Sequence, residues 1–358
     1  MVMKKWMMGL LMLCAAQGGA SSAWGCTGIA LVAKDGSRVQ GRTIEWARER
    51  LPSYAVRIPR GYEMQMMLPD GKVGSRLKAQ WGAVGLAVSQ PDFIAEGINE
   101  RGLSVGLFFF PRYGSYESYQ PARVSETVGD LQLTAWMLTQ CATIDEVKQG
   151  LRQLHIVGLN EGSVIHWRLA DSEGRQEVLE IVGGEQHWFT NSVGVLANGP
   201  GFAWHLTNLN NYVNLYPGDA PIGMVGNFTL RPISGSSGML GLPGDMTSPS
   251  RFVRAAMLRQ TAPIQPDGWS AVRLCFHLLN SFDVPVGLEH PMYESPDMLS
   301  ATQWTSVIDL TALRVYYRTA QQSTIRCIDL HSIDFSTAAY ASCPLDDGEE
   351  EPVKMLRW

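Results

Sequence analysis

Cys26 is the residue whose type and position most clearly suggest chemistry in this 358-residue chain. It follows Ala23-Trp24-Gly25, in which the small residues Ala23 and Gly25 fit a signal-peptidase cleavage site. Cleavage after Gly25 would leave a cysteine that carries both a thiol and a free α-amino group. An unperturbed thiol has a pKa near ~8.5 and an α-amine near ~7.7–8.0, so proton transfer between them is easy at neutral pH. One residue would then supply both nucleophile and general base.

Three other roles are open to a cysteine at this position. It could be a lipid attachment site, a disulfide partner or a buried apolar residue. Lipid attachment usually needs a branched or long aliphatic residue three positions before the cysteine, whereas Ala23 stands there and bulky Trp24 follows. The pattern favours ordinary signal cleavage.

The first 25 residues have the three parts of a secretory signal peptide. Two lysines form a short basic region, residues 6–16 are apolar but too short to span a bilayer, and residues 17–25 are small and polar. We therefore expect residues 1–25 to be removed and residues 26–358 to form a single domain. This mature domain is expected to be exported, to the periplasm or the medium, without stable insertion into a membrane.

The composition of the mature chain argues against a nucleic-acid partner. Without the two signal-peptide lysines it carries 27 basic and 34 acidic side chains, a formal charge of −7. No repeat, low-complexity tract or linker interrupts its roughly 333 residues, a length that can form one large core. These features favour a single domain.

The other mature cysteines do not form a recognisable metal motif. None has the CxxC spacing to a second cysteine or to a histidine that a zinc site would need. Cys141 and Cys275 fall within helical patterns and are expected to be core thiols. Cys327 and Cys343 could form a disulfide in an exported chain, and the sequence leaves this open.

The expected secondary structure alternates between groups of strands and groups of helices. Strands 29–33 and 39–46 form a hairpin that places Arg42 and Glu45 on the strand returning toward Cys26. The succession predicts stacked layers of sheet and helix. Further strands are expected at 83–88, 103–110, 163–170, 177–182 and 193–197, and helices at 127–140, 144–154, 250–260 and 269–281.

Several short motifs follow one another along the mature chain in a specific order. They are Cys26-Thr27-Gly28, Gly41-Arg42-Thr43-Ile44-Glu45-Trp46, Gly97-Ile98-Asn99-Glu100-Arg101-Gly102-Leu103, Leu196-Ala197-Asn198-Gly199-Pro200, the segment 242–254, and Ser306 with Val315-Tyr316-Tyr317-Arg318. In order and spacing the chain resembles the cholylglycine hydrolase and penicillin V acylase family of N-terminal nucleophile hydrolases. The resemblance implies an α+β fold, a four-layer αββα sandwich of two packed, mainly antiparallel sheets, and a hydrolase domain over residues 26–358.

The resemblance also implies roles for the nucleophile and for two residues beside it. Cys26 takes the place of the cysteine that attacks an amide carbonyl. Arg42 takes the place of an arginine whose charge favours the thiolate and lowers its pKa. Glu45 takes the place of an acid, usually aspartate, that holds the α-amino group, and its side chain is one methylene longer. By residue type alone, Arg42 could equally be an exposed residue of an edge strand.

Three further positions complete the implied site. Asn198 matches an asparagine whose amide donates to the oxyanion, the Phe109 backbone N–H matches the second oxyanion donor, and Arg251 matches an arginine that caps the site. By itself, Asn198 could be a turn residue before Gly199-Pro200, and Arg251 a solvent-exposed residue at a helix N-terminus, where its charge opposes the helix dipole. No catalytic role is expected for Asn208, Asn210 and Asn211.

An aromatic run suggests the substrate pocket. Phe108, Phe110 and Tyr113 are expected to hold an apolar acyl group, with buried strand phenylalanines and loop tyrosines as the alternative. The family's substrates join such an acyl group by an amide to a small polar amine. A glycine- or taurine-conjugated bile salt is the expected substrate, and penicillin V or an N-acyl homoserine lactone is the alternative.

The expected mechanism needs no metal and no organic cofactor. The α-amine takes the thiol proton through a water, sulfur attacks the carbonyl, the protonated amine donates to the leaving nitrogen, and water hydrolyses the thioester. The family resemblance implies a homo-oligomer, a tetramer. Two rival interpretations are a hydrolase that pairs an internal cysteine with a histidine, and an exported binding protein with an aromatic cleft.

Overall fold

The computed structural model describes residues 25–46, 50–160, 164–288, 301–346, 348, 351 and 353–357. The predicted signal peptide therefore lies outside the described residues, except for Gly25. Within the described part, no helix is long and apolar enough to cross a membrane.

A six-stranded antiparallel sheet, called here the first sheet, carries the N-terminal hairpin. The short turn at residues 33–37 sets the hairpin register, and the strand that follows the turn lies inside the sheet with neighbours on both sides. In spatial order the strands are β14 (Val195–Leu196), β1 (Cys26–Val32), β2 (Arg38–Trp46), β17 (Ala301–Asp309), β18 (Arg314–Thr319) and β19 (Arg326–Asp329).

An eight-stranded antiparallel sheet, the second sheet, packs against the first. Its central strands are almost entirely buried on both faces, and accordingly they are mostly apolar instead of alternating between apolar and polar residues. In spatial order the strands are β13 (Glu185–Thr190), β12 (Gln176–Val182), β11 (Ile165–Ala170), β8 (Ser104–Phe109), β7 (Ile94–Asn99), β6 (Ala83–Val88), β3 (Ser53–Ile58) and β20 (Ala341–Pro344).

Helices cover the outer faces of the two sheets. They are α1 (Asp130–Gln140), α2 (Ile144–Leu151), α3 (Phe202–Leu209), α4 (Ser248–Thr261) and α5 (Gly268–Leu279). Helix α1 packs on β7 and β8, whereas α4 and α5 pack on the first sheet. The order helix, sheet, sheet, helix confirms the predicted α+β four-layer αββα sandwich.

Three small strand pairs lie outside the main sheets. The parallel pair explains one error in the predicted elements: residues 127–129 do not begin helix α1, because they pair with residues 155–157. The pairs are β4 (Glu63–Met67) with β5 (Val73–Lys78), β9 (Thr127–Gly129) with β10 (His155–Val157), and β15 (Gly223–Val225) with β16 (Phe228–Leu230).

The cysteines of the described part are all free thiols. Cys141 and Cys275 are buried, as predicted for core thiols. Cys327 lies on β19 of the first sheet and Cys343 on β20 of the second, and both are exposed. The structure thus has no Cys327–Cys343 disulfide.

Candidate active site

Cys26 begins β1 and lies beside Arg42 of the neighbouring strand. In the antiparallel register Cys26 faces Ile44, and Gly28 faces Arg42. Since residues two apart on a strand share a face, Arg42 and Cys26 lie diagonally on one face. Arg42 Nη2 is 2.7 Å from Cys26 Sγ, and Cys26 is 4% exposed. The guanidinium therefore donates directly to the predicted nucleophile.

Contacts across the two sheets fix Arg42 in place. Its Nη1 donates to the carbonyl of Ala95 at 3.0 Å and to the carbonyl of Leu107, both in the second sheet. The Phe108 ring centre lies 4.2 Å from the guanidinium carbon. Arg42 is fully buried on β2, an inner strand, so the alternative of an exposed edge residue is wrong.

A buried glutamate and a second buried arginine lie behind Arg42. Glu96 Oε2 is 3.7 Å from Arg42 Nη1, and Glu96 Oε1 is 3.1 Å from Arg168 Nη2. The carboxylate compensates charges that would be costly to bury unpaired. Gly28 leaves room for this group, because a Cβ there would lie 2.6 Å from Arg168 Nη1. Sequence reasoning missed Glu96 and Arg168, although each is a charged residue inside an apolar strand.

Burial raises the pKa of the Cys26 thiol above its ordinary value. Arg42 lowers this pKa, as do a hydrogen bond from the Phe109 backbone N–H and the charge of Arg251, while Glu45 raises it. Arg42 therefore acts in the predicted direction, but the pKa is still raised because desolvation penalises the thiolate more than the guanidinium stabilises it. A nucleophilic role for Cys26 therefore needs a base that takes the thiol proton as sulfur attacks.

The side chain of Asn198 lies against the main chain of Cys26. Its Oδ1 accepts from the Cys26 backbone nitrogen at 2.8 Å and from Arg251 Nη2 at 2.8 Å. Its Nδ2 donates to the Phe109 carbonyl oxygen at 2.8 Å. Two donors on one side and a carbonyl on the other fix the amide orientation. Asn198 is thus more than a turn residue: it joins β14, β1 and β8 at one point.

Arg251 reaches the same point from helix α4. Its Nη1 donates to the Cys26 carbonyl oxygen at 2.6 Å and to Thr27 Oγ1 at 2.7 Å, and its Nε donates to the Met246 carbonyl at 2.8 Å. It is 2% exposed, so the alternative of a solvent-exposed residue is wrong. Asp245 anchors the helix start by accepting from Ser250 Oγ at 2.6 Å. This contact and the Thr247 side chain lower the pKa of Asp245 to about 2.

Glu45 lies beside Gly25, the residue before the predicted cut. Its backbone nitrogen donates to the Gly25 carbonyl at 2.8 Å, and its Oε1 accepts from Thr302 Oγ1 at 3.1 Å. A Cβ built on Gly25 would lie 2.9 Å from Glu45 Oε2 and 3.4 Å from Arg251 Nη2. The longer glutamate side chain therefore still brings its carboxylate to the start of β1.

The structure does not bring Phe108 and Phe110 to a ligand-accessible surface. Phe108 is buried between the guanidinium groups of Arg42 and Arg168, and Phe110 is buried against the His166 ring. Phe108 lies near the end of β8, and Phe110 directly follows that strand. Tyr113 is 47% exposed and packs on Gly199, next to Asn198. Of the three predicted substrate-binding residues, only Tyr113 is accessible.

Two buried histidines, His166 and His205, lie beneath the Asn198 turn and were not singled out from the sequence. His205 Nε2 is 2.8 Å from the Asn198 carbonyl oxygen, and its ring stacks on Phe252 with the centres 4.4 Å apart. Burial lowers the pKa of His205 to about 4. The ring is therefore neutral near pH 7 and donates through Nε2–H.

We expect His205 to make folding stability fall as the pH is lowered from 6.5 to about 4. Because its pKa is lower when folded than the ordinary 6.5, the unfolded chain binds the proton first. The loss from this residue is about 3 kcal/mol, complete near pH 4 and absent above about pH 7. Urea unfolding at pH 7.5 and 4.5 measures it. The fall in unfolding free energy between the two pH values should be smaller by that amount in His205→Gln. An equal fall in both proteins would refute the assignment of this pH dependence to His205.

Two surface cavities lie away from this cluster. One of about 240 Å³ is lined by Arg50, Tyr54 and Trp304, among others, and one of about 300 Å³ by Leu31, Arg259 and Ile264, among others. Neither is lined by a predicted site residue. Among the described residues, no group of three or more His, Cys, Asp and Glu side chains is placed to hold a metal ion.

The chain is similar to known amide hydrolases over most of its length. The sequence profile of linear amide C–N hydrolases, choloylglycine hydrolase family, matches residues 26–344. The bile salt hydrolase/transferase of Clostridium perfringens is 31% identical over 314 residues, which cover 86% of this chain and 92% of that protein. The penicillin V acylase of Pectobacterium atrosepticum is 24% identical over 283 residues, which cover 72% and 67%.

A solved structure extends the similarity to the fold. A mutant conjugated bile acid hydrolase from Clostridium perfringens superposes with a TM-score of 0.80 and 27% identity, covering 93% of this chain and 100% of that one. The chain therefore belongs to the choloylglycine hydrolase family of linear amide C–N hydrolases, as its motifs indicated.

Proposed function

We propose that the mature chain hydrolyses glycine- or taurine-conjugated bile salts with Cys26 as the nucleophile. One observation carries the proposal: Arg42, Asn198 and Arg251 all contact Cys26 within 2.8 Å, at the sulfur, the nitrogen and the carbonyl oxygen. Such a convergence on one buried residue positions it for reaction. The similarity to a bile salt hydrolase/transferase over most of both chains supports the substrate class.

The α-amine that acts as base requires removal of residues 1–25. The backbone nitrogen of Cys26 already lies 2.8 Å from Asn198 Oδ1, and Gly25 lies between Glu45 and Arg251. Cleavage would leave the amine at that nitrogen, held by Asn198 and by the Glu45 carboxylate. It would also vacate the space that Gly25 occupies above Cys26. The family profile begins its match at Cys26, in keeping with this start.

The proposed reaction uses the same contacts. The amine takes the thiol proton through a water, and sulfur attacks the amide carbonyl to form a tetrahedral intermediate. The Asn198 Nδ2 carries two hydrogens, one bonded to the Phe109 carbonyl, and the second donates to the oxyanion. The Phe109 N–H, which donates to the sulfur here, supplies the other bond. The amine protonates the leaving nitrogen, and water hydrolyses the thioester.

The signal pattern supports an exported enzyme, in the periplasm or the medium. The hairpin of β15 and β16 exposes Met224, Val225 and Phe228, which supports assembly into a homo-oligomer. Penicillin V is the second candidate substrate, because a penicillin V acylase is also similar over 72% of this chain. An N-acyl homoserine lactone has the same acyl-amide form.

Amine release from a substrate panel tests the proposal. With processed protein, we expect glycocholate and taurocholate to be cleaved with a kcat/KM at least about tenfold above that for penicillin V or a long-chain acyl homoserine lactone. Preference for one of the latter two would change the substrate and keep the chemistry. Saturable bile-salt binding without amine release, from protein with a free Cys26 N-terminus, would instead support the binding-protein interpretation.

A further inference from the structure

We propose that His166 and His205 are positioning residues that hold the main chain on both sides of the Asn198 side chain. The inference rests on the proposed function, in which the Asn198 amide stabilises the oxyanion. His166 Nε2 is 2.9 Å from the carbonyl oxygen of Ala197, and His205 Nε2 is 2.8 Å from the carbonyl oxygen of Asn198. Two consecutive peptide groups are thus each bound by an imidazole, and both rings are fully buried.

The main chain at this point needs such support. Strand β14 pairs with β1 only through Val195 and Leu196, so its ladder ends before Ala197. Asn198 then enters the turn at Gly199-Pro200. Without the imidazoles, the Ala197 and Asn198 carbonyls would be buried acceptors beyond the end of the sheet. The two histidines therefore replace ladder bonds that the strand no longer provides.

Each histidine also links this turn to another part of the site. The His166 ring stacks on Phe110, the residue directly after Phe109. The ring centres are 4.3 Å apart and the planes differ by 5°. The His205 ring stacks on Phe252, the residue directly after Arg251 on helix α4, and the planes of the two rings differ by 9°. The two rings thereby fix the position of the Asn198 side-chain amide relative to the Phe109 main chain and the Arg251 guanidinium.

Hydrogen-bond chemistry fixes the direction of these bonds. A carbonyl oxygen only accepts, so Nε2 must carry a proton in both rings. In the described part of the chain, His205 Nδ1 has no hydrogen-bond partner, so the Asn198 carbonyl is the polar contact of this ring. His166 Nδ1 lies 3.3 Å from Glu180 Oε1, and the same oxygen accepts from the Phe202 backbone nitrogen. Glu180 thus orients His166.

Replacing either histidine with leucine tests the inference. We expect His205→Leu and His166→Leu each to lower kcat about 10- to 100-fold while KM stays within about twofold, because the amide shifts without loss of binding surface. His205→Gln keeps a donor near the position of Nε2 and should recover most of kcat. An equal loss in the leucine and glutamine variants, or a loss confined to KM, would overturn the proposal.

His155 provides a matched control. It is also a fully buried histidine, and its Nε2 also lies near a backbone carbonyl, that of Ser118 at 3.1 Å, but none of its contacts involves the site. We expect His155→Leu to lower the melting temperature but not kcat per folded molecule. If it lowers kcat as much as His205→Leu, the effect is general loss of packing and the proposal fails. Should His205→Leu not fold, His205→Asn is measured instead, because its amide is too short to reach the carbonyl.

A double variant separates failure of this inference from failure of the proposed function. If His205 acts through Asn198, then Asn198→Ala with His205→Leu should have the same kcat as Asn198→Ala alone. Additive losses would show that His205 acts elsewhere and would overturn the inference. Full activity of Asn198→Ala itself would refute the proposed role of Asn198, and the histidine inference with it. A large loss in Asn198→Ala and none in either leucine variant would refute the inference alone.

Discussion

Replacing Cys26 with alanine is expected to lower kcat by about 10⁵- to 10⁶-fold, to the background rate, since the nucleophile is lost. The variant should fold and still bind substrate, because it removes one buried sulfur and leaves the main-chain contacts to Asn198 and Arg251 intact. Amine release from glycocholate measures kcat, and mass spectrometry of quenched wild-type reactions should detect the acyl thioester on the N-terminal cysteine.

Two comparisons make this result specific to Cys26. Cys327→Ser removes an exposed thiol on β19 and should leave kcat unchanged. A chain that retains Gly25 keeps the thiol but converts the amine to a peptide nitrogen and leaves Gly25 between Glu45 and Arg251, so it should be as inactive as Cys26→Ala. Activity in Cys26→Ala would support the alternative in which an internal cysteine works with a histidine. Activity in the chain that retains Gly25 would show that the α-amine of Cys26 is not the general base.

The local part of the site could be predicted from the sequence. A short turn between two apolar strands sets an antiparallel register, and this register alone brings Arg42 near Cys26. The alternation of a strand then places both side chains on one face. No comparable rule predicts the position of Asn198, which lies 172 positions from Cys26 in sequence. The two residues come into contact only through the packing of distant strands. Only the resemblance to a family indicated that Asn198 belongs to the site.

The buried polar groups could not be predicted in the same way. Glu96 and His205 lie in mostly apolar segments, and His166 and Arg168 share the mostly apolar strand β11. A polar residue in such a segment is as compatible with an exposed face as with a buried one. Their partners come from other strands and helices, such as the Gly41 carbonyl that accepts from Arg168 at 3.0 Å. Only the packing of the two sheets reveals that these groups satisfy one another.

Phe108 and Phe110 of the aromatic run are buried and Tyr113 is exposed, as in the alternative of buried phenylalanines and loop tyrosines. The three phenylalanines are neighbours in sequence, but Phe108 and Phe109 at the end of β8 point to opposite faces, and Phe110 follows the strand. Phe108 supports the charged cluster, Phe110 supports His166, and Phe109 contributes its backbone. A dense aromatic segment near a candidate nucleophile can therefore support the groups around that nucleophile instead of a substrate.

The Asn198 amide is expected to be the second largest contributor to kcat. Asn198→Ala should lower kcat about 10²- to 10³-fold, the usual cost of removing one oxyanion donor, with a smaller change in KM. Asn198→Asp should be at least as impaired: it keeps an oxygen to accept from Cys26 and Arg251, but it replaces Nδ2 with a charged oxygen that faces the Phe109 carbonyl and repels the oxyanion. Steady-state rates with glycocholate measure both variants.

The aspartate variant distinguishes stabilisation of the oxyanion from simple support of the cysteine. If Asn198 acted only by accepting from Cys26 and Arg251, aspartate would preserve that function and kcat would stay within about threefold of the wild type. Asn210→Ala is the matched control, since the side chain of this exposed asparagine donates to carbonyls of the preceding helix α3, those of Leu206 and Thr207. This variant should leave kcat unchanged. Near-wild-type rates in both Asn198 variants would mean that the oxyanion is held by other donors, with the Phe109 N–H as the first to test.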